Sequence, residues 1–203
     1  MTSDSERIVG LYRRHAAAWD KLRSPGSLFE KPWLDKFLAL IPARGTILDL
    51  GCGAGLPISG YLIRMGCTVT GVDSSPPLID LCRNRFPSQA WVIADMRTLN
   101  LDRRFNAIVA WDSFFHLCPD GQRHMFPVFA RHANPGAALL FTSGSRHGEA
   151  IADFEGEPLY HGSLDSAEYA TLLDQIGFEV IEHVEDDPAC GHHTIWLARG
   201  KTP

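Results

Sequence analysis

The chain is 203 residues long, 45% hydrophobic and 21% charged, the make-up of a soluble globular protein with room for one well-buried core. Its formal charge is −5, with 19 Lys and Arg against 24 Asp and Glu and no concentrated basic run, which argues against nucleic acid as a partner because phosphate contacts dominate such binding. The five scattered cysteines (Cys52, Cys67, Cys82, Cys118, Cys190) hold no Cys-x-x-Cys pair, and neither a signal-peptide core nor a run of membrane-spanning length is present, so a reducing cytoplasm is the expected compartment.

In chain order, residues 4–23 read as one amphipathic helix, with Ile8, Leu11, Tyr12, His15, Ala18, Trp19 and Leu22 near one face. Ser24-Pro-Gly-Ser27 breaks it, and residues 31–40 form a second helix with Trp33, Leu34, Phe37 and Leu38 inward. From Gly45 onward strands and helices alternate. Strands are expected near 46–50, 68–72, 90–94, 105–111 and 137–142, and helices near 57–65, 76–86 and 121–132. The strands are apolar on both faces, as in a parallel sheet covered by helices on each side. Asn134-Pro-Gly136 reads as a sharp turn into the fifth strand, and residues 143–163 as an unusually long connection after it. Asp165-Ser-Ala-Glu168 has the form of a capping box before a helix over 169–176 that Gly177 ends. Two closing strands, 178–184 and 194–198, complete the alternation.

The stretch Thr46-Ile-Leu-Asp-Leu-Gly-Cys-Gly-Ala-Gly-Leu-Pro57 organises the chain: a buried strand breaks into a glycine loop and re-enters as a helix at Pro57. Glycines at 51, 53 and 55 permit positive φ and the close approach of a ligand to the backbone. The third glycine of a dinucleotide fingerprint is missing, since Leu56 or Ile58 stands in its place, and no lysine follows as in a phosphate-binding P-loop. Asp49, two residues before Gly51, would repel a pyrophosphate and attract a positively charged ligand.

Leu48-Asp-Leu-Gly-Cys-Gly-Ala-Gly55 resembles motif I of the class I S-adenosylmethionine-dependent methyltransferases. Val69-Thr-Gly-Val-Asp73 resembles that family's second strand, which places Asp73 at the ribose hydroxyls. Val92-Ile-Ala-Asp95-Met96 resembles the third strand and the acidic loop at the adenine. Phe105-Asn-Ala-Ile-Val-Ala-Trp111-Asp-Ser resembles the fourth strand, whose exit faces the methyl group.

The resemblance covers residues 45–142 in detail. It implies an α/β fold: a Rossmann-like, doubly wound, mostly parallel seven-stranded sheet with an antiparallel last strand, helices on both faces and an N-terminal helical lid. It also implies one domain over 1–203, made of N-terminal helices (1–42), a cofactor-binding core (43–142), and a substrate loop with closing strands (143–203). The cofactor implied is S-adenosyl-L-methionine. Its candidate contacts are Tyr12, Trp19 and Arg23 from the lid, and Asp49, Gly51, Cys52, Gly53, Asp73, Ser74, Asp95, Met96 and Trp111 from the core. Tyr12 and Trp19 also read as core residues, Arg23 as a solvated one, and Asp73 as a cap for the helix that Ser74-Ser-Pro-Pro77 starts.

Methyl transfer is an in-line displacement that needs alignment and exclusion of water, and a general base only where the nucleophile is weakly acidic. Trp111-Asp-Ser-Phe-Phe-His116 leaves the fourth strand, and His116 is the leading base, the alternative being a ring packed beneath Phe114 and Phe115 with both nitrogens satisfied. In 143–163, read as a substrate-recognition segment or a surface loop, Tyr160 and His161 are expected to point inward, with Tyr160 the second catalytic candidate. Glu168 is assigned to the helix cap. Cys190-Gly-His-His193 reads as a turn into the last strand, and no metal is expected.

The function expected is methyl transfer to a small-molecule acceptor by a monomer or homodimer. A nicotinamide-dependent oxidoreductase and a non-catalytic S-adenosylmethionine-binding protein are the alternatives.

Overall fold

The computed structural model describes residues 4–24 and 28–202, so most of the expected break at Ser24–Ser27 lies outside the described residues. Nine strands follow one another: β1 (Thr46–Leu50), β2 (Thr68–Asp73), β3 (Ala90–Ile93), β4 (Phe105–Ala110), β5 (Ala133–Ser143), β6 (Gly148–Phe154), β7 (Glu157–Ser163), β8 (Phe178–Asp187) and β9 (His193–Gly200). Seven of them form one sheet in the order β3-β2-β1-β4-β5-β9-β8. Pairing is parallel from β3 to β5, and β9 is inserted antiparallel between β5 and β8. This is the expected doubly wound sheet with its last strand reversed.

Helices α1 (Asp4–Arg14) and α2 (Ala16–Arg23) precede α3 (Lys31–Ala39), α4 (Ile58–Arg64), α5 (Pro76–Arg85), α6 (Pro119–His132) and α7 (Ser166–Gln175). Side chains alternate across a strand, so β1 sends Leu48 and Leu50 into one layer and Ile47 and Asp49 into the other. Leu48, Leu50, Ile108 and Phe141 pack with Phe126, Phe129 and Tyr169 of α6 and α7. Ile47, Val69, Val109 and Leu140 pack with Leu34, Phe37, Leu62 and Ile79 of α3, α4 and α5. Each such fully buried side chain stabilises the fold by roughly 1.5–3 kcal/mol. The strand order reverses between β1 and β4, and a cleft opens at the carboxyl ends there.

Several local expectations are corrected. The N-terminal helix is two helices, bent at His15 (φ −105°, ψ 23°), and Leu22 is 63% exposed rather than inward. Tertiary ion pairs override the continuous apolar pattern: Arg14 and His15 reach Glu157 on β7, whereas Asp20 accepts two 2.6 Å bonds from Arg85 on α5. α4 begins at Ile58, and Pro57 is its capping residue. Asn134-Pro-Gly136 lies inside β5 as a bulge, where the pairing with β4 shifts between Phe105 and Ala107 and Gly136 takes φ 75°.

Residues 143–163 are no loop: β6 and β7 form a two-stranded hairpin with a two-residue turn, Glu155 (φ 55°) and Gly156 (φ 78°). The helix expected from 169 starts at Ser166, and the capping box does not form. Asp165 accepts the His147 backbone N–H at 3.1 Å, and Glu168 is drawn to Arg123 of α6 at 2.6 Å. No helix among the described residues is long and apolar enough to cross a membrane.

Candidate active site

The glycine loop is locked to the tip of the sheet. The Gly51 and Cys52 N–H groups both donate to the Val72 carbonyl, at 2.8 and 3.0 Å, which folds the chain across the end of β2. Gly51 takes φ +73°, and a Cβ there would lie 2.2 Å from the Cβ of Ser113, whose hydroxyl donates to the Leu50 carbonyl at 2.6 Å. Gly53 takes φ +54°, and its Cβ would lie 2.9 Å from the indole nitrogen of Trp19. At the end of β2, Asp73 accepts the Gly53 N–H at 3.0 Å with one carboxylate oxygen and the Ser75 N–H at 2.8 Å with the other. It therefore closes a turn just before α5 rather than capping the helix, whose capping residue is Ser75, while also fixing the glycine loop. Burial pushes its carboxyl up from the ordinary range, and its backbone partners pull the other way.

These groups border a cavity of about 730 Å3, its open mouth included. Gly51, Gly53, Asp73 and Ser74 line it from the loop and β2, Asp95 and Met96 from the end of β3, and Tyr12 and Trp19 from the lid. Four of the expected contacts do not reach it. Asp49 shares the face of Ile47 and accepts the Ser59 hydroxyl at 2.5 Å, and burial pushes its carboxyl up to about 7. Cys52 and Trp111 pack in the layer of α3–α5. Arg23 donates to the buried Glu30 at 2.5 Å. Asp95 lines the cavity with its carboxylate gripped by Arg97, which holds that carboxyl below the usual range. Asp112 and Ser113 also line it, at the exit of β4 where the resemblance placed the reacting centre.

His116 lies in the cavity wall with both ring nitrogens engaged. The Tyr160 carbonyl can only accept, so Nδ1–H donates to it at 2.8 Å, which leaves Nε2 to accept the Tyr12 hydroxyl at 2.8 Å. Burial lowers its pKa to about 4, against the pull of that carbonyl. This is the packed arrangement weighed against the base from sequence. Tyr160 supplies its carbonyl here, and its ring packs with Ile8 and Leu11 of α1.

A second cavity, about 850 Å3 with its open mouth, lies between the hairpin, the end of β5 and the turn Gly191–His193. Asp112 (φ 49°), in the lining of the first cavity, donates its N–H to Thr142 at 2.9 Å. His193 donates to Asp112 through Nε2 and to the Cys190 carbonyl through Nδ1, both at 2.7 Å. Two acceptors around one imidazole require both nitrogens to carry protons. Although burial opposes the charge, Asp112 outweighs it, and His193 titrates above its ordinary value. Arg23 lies 3.7 Å from the other oxygen of Asp112, tying the lid to this wall. Cys190-Gly-His-His193 forms the expected turn. No group of three or more His, Cys, Asp or Glu side chains among the described residues is arranged to hold a metal ion.

A sheet with one reversed strand, a glycine bend at β1 and an acid at the tip of β2 define the class I methyltransferase fold. Residues 47–136 match the family model described as a methyltransferase domain. It is 38% identical over 134 residues to the ubiquinone biosynthesis O-methyltransferase of Coxiella burnetii, a match over 61% of this chain and 56% of that protein. The chain thus spans little more than half the length of such relatives. Among solved structures it is similar to the S-adenosylmethionine-bound magnesium protoporphyrin IX methyltransferase of Synechocystis (TM-score 0.74, 15% identity, 99% of each chain). It is also similar to S-adenosylmethionine-bound CalS10, an amino pentose methyltransferase of Micromonospora echinaspora (TM-score 0.69, 18% identity, 92% and 96% covered).

Proposed function

We propose that this chain is an S-adenosylmethionine-dependent methyltransferase acting on a small-molecule acceptor. The observation that carries the reading is the charge of the first cavity. Asp73, Asp95 and Asp112 line it, and its one lining guanidinium, Arg97, is bound to Asp95. Such a wall fits a phosphate-free, cationic nucleoside and opposes a pyrophosphate, which disfavours nicotinamide chemistry. Asp73 would hold the ribose hydroxyls, Gly51 and Gly53 would face the methionine part, and Met96 would lie against the base.

The bound donor supplies a methyl group already activated by sulfonium. This chain's own part is to orient and enclose: Tyr12 and Trp19 cover the loop, Phe154 of the hairpin lies 6.0 Å from each ring, and water is thereby kept from the reacting centre. The second cavity would seat the acceptor. Small-molecule use accords with the acceptors named for the relatives above, and the formal charge of −5 disfavours nucleic acid. We read the protein as a single cytoplasmic domain, active as a monomer or homodimer.

Calorimetric titration with S-adenosylhomocysteine tests the reading. Binding that Asp73→Ala weakens supports it, and a folded protein that gives no binding heat refutes it. Binding of S-adenosylmethionine without methyl transfer to any component of a cell extract would favour the non-catalytic alternative.

A further inference from the structure

We infer that His161 is the catalytic base of the second cavity and that the acceptor presents it with a weakly acidic aromatic hydroxyl. The inference rests on the methyltransferase reading above and deepens it.

The histidines at the two cavities differ in what their nitrogens do. His116 has both engaged, by Tyr12 and the Tyr160 carbonyl. His193 is clamped between Asp112 and the Cys190 carbonyl as a double donor, and has no lone pair to offer. His192 shares Nδ1 with Asp186 in an exposed pair, and His147 is exposed at the mouth. His161 lines the second cavity, half-buried on β7, and neither of its ring nitrogens has a hydrogen-bond partner among the described residues. Its ring lies 5.1 Å from that of His116, in the wall of the first cavity, so it stands at the partition between the two. Burial keeps it below its ordinary value despite the nearby Asp112 charge, which leaves a neutral imidazole at physiological pH.

The surroundings select the acceptor. Phe115 lines the cavity beside His161 and meets its ring edge-on at 5.0 Å, an arrangement suited to an aromatic ring. Arg146 and Glu149 also line this cavity, neither in an ion pair among the described residues, and Arg146 is the group that can meet a negative oxygen. A guanidinium favours an oxygen that becomes anionic and disfavours an ammonium acceptor. In the step, the hydroxyl proton passes to a His161 nitrogen while an oxygen electron pair forms the new O–C bond. The C–S bond breaks with its pair remaining on sulfur, and His161 afterwards releases the proton to water. Atoms and charge balance without another reactant.

The test uses 4-nitrophenol, first titrated into the protein saturated with S-adenosylhomocysteine and then offered with S-adenosylmethionine, methyl transfer being read as the 4-nitroanisole formed. The expected result is binding of the phenol and a turnover that falls at least about tenfold in His161→Ala and in His161→Gln below neutral pH, with most of that loss recovered at alkaline pH, where the phenol is already ionised. Both variants are expected to keep the S-adenosylhomocysteine affinity of the parent, which shows that each is folded. Failure of 4-nitrophenol to bind, equal turnover in both variants, a loss that alkaline pH does not relieve, or tighter binding of benzylamine would each overturn the inference. Absence of S-adenosylhomocysteine binding to the parent would instead remove the methyltransferase reading itself.

Discussion

The two cavities are linked through Asp112, which lines the first and bonds His193 in the lining of the second, and they are built in opposite ways. The floor of the first is made from strand tips and backbone: Gly51, Cys52 and Gly53 are bonded to Val72 and Asp73, while Tyr12 and Trp19 of the lid close over it. The second is made largely from the hairpin β6–β7, whose first strand is exposed along most of its length, and from the turn before β9. A wall fixed by the sheet serves one constant ligand. In the reading proposed above, a wall carried on an appendage after β5 can be rebuilt for another acceptor while the glycine bend and Asp73 stay in place.

The sharpest way to break this comparison is Gly51→Ala. Its Cβ would meet Ser113 at 2.2 Å on a positive-φ backbone, and we expect a loss of about 3 kcal/mol or more in denaturant unfolding, together with loss of S-adenosylhomocysteine binding. Asp73→Ala should weaken S-adenosylhomocysteine roughly 10- to 100-fold by calorimetry, the range of lost hydrogen bonds to a charged group. Changes to the hairpin should leave that affinity within about twofold, since ordinary surface substitutions shift free energies by no more than ~0.5 kcal/mol.

A third prediction concerns pH. With the folded-state pKa of His116 lowered to about 4, the unfolded chain binds the proton more readily between about pH 6.5 and 4. Stability is therefore complete above about pH 6.5 and falls with pH through that window, by on the order of 3 kcal/mol for a fully buried ring. His116→Gln should flatten this acid limb in urea titrations.

His193 has the reverse sign. Its raised value means that the pair with Asp112 stabilises fully below the ordinary histidine pKa and is lost as pH rises through the folded value, so His193→Gln should flatten the alkaline limb. The smallest effect expected is that of Glu157→Gln. Its partners Arg14 and His15 join the lid to the hairpin in a partly exposed cluster, so the melting temperature should barely change while amide exchange in β6 and β7 quickens.

The same contrast governs what a reader of the sequence could find. β1 was legible to the residue because an apolar run ends in glycines whose spacing admits few other uses, and Asp73 was legible because it ends a second such run. The hairpin was not. Its turn is Glu155-Gly156 rather than Asn-Gly, and β6 is exposed along most of its length, so no alternation of apolar and polar residues marks it. Asp112 and His193 meet only because β9 is threaded beside β5, a pairing that no local pattern records. Asp49 illustrates the converse: its position in the motif is plain, but strand alternation turns its carboxylate toward Ser59 on α4 and away from the cavity.

The insertion of β9 between β5 and β8 has a consequence for biosynthesis. Until residue 200 has left the ribosome, the growing chain can close neither neighbour's hydrogen-bonding edge, and the apolar margin of β5 stays open to other nascent chains. The half built on β1–β4 can assemble while translation continues, whereas His193 arrives only with β9. A ribosome-stalled fragment ending before β9 should therefore need chaperone protection that a chain including β9 does not.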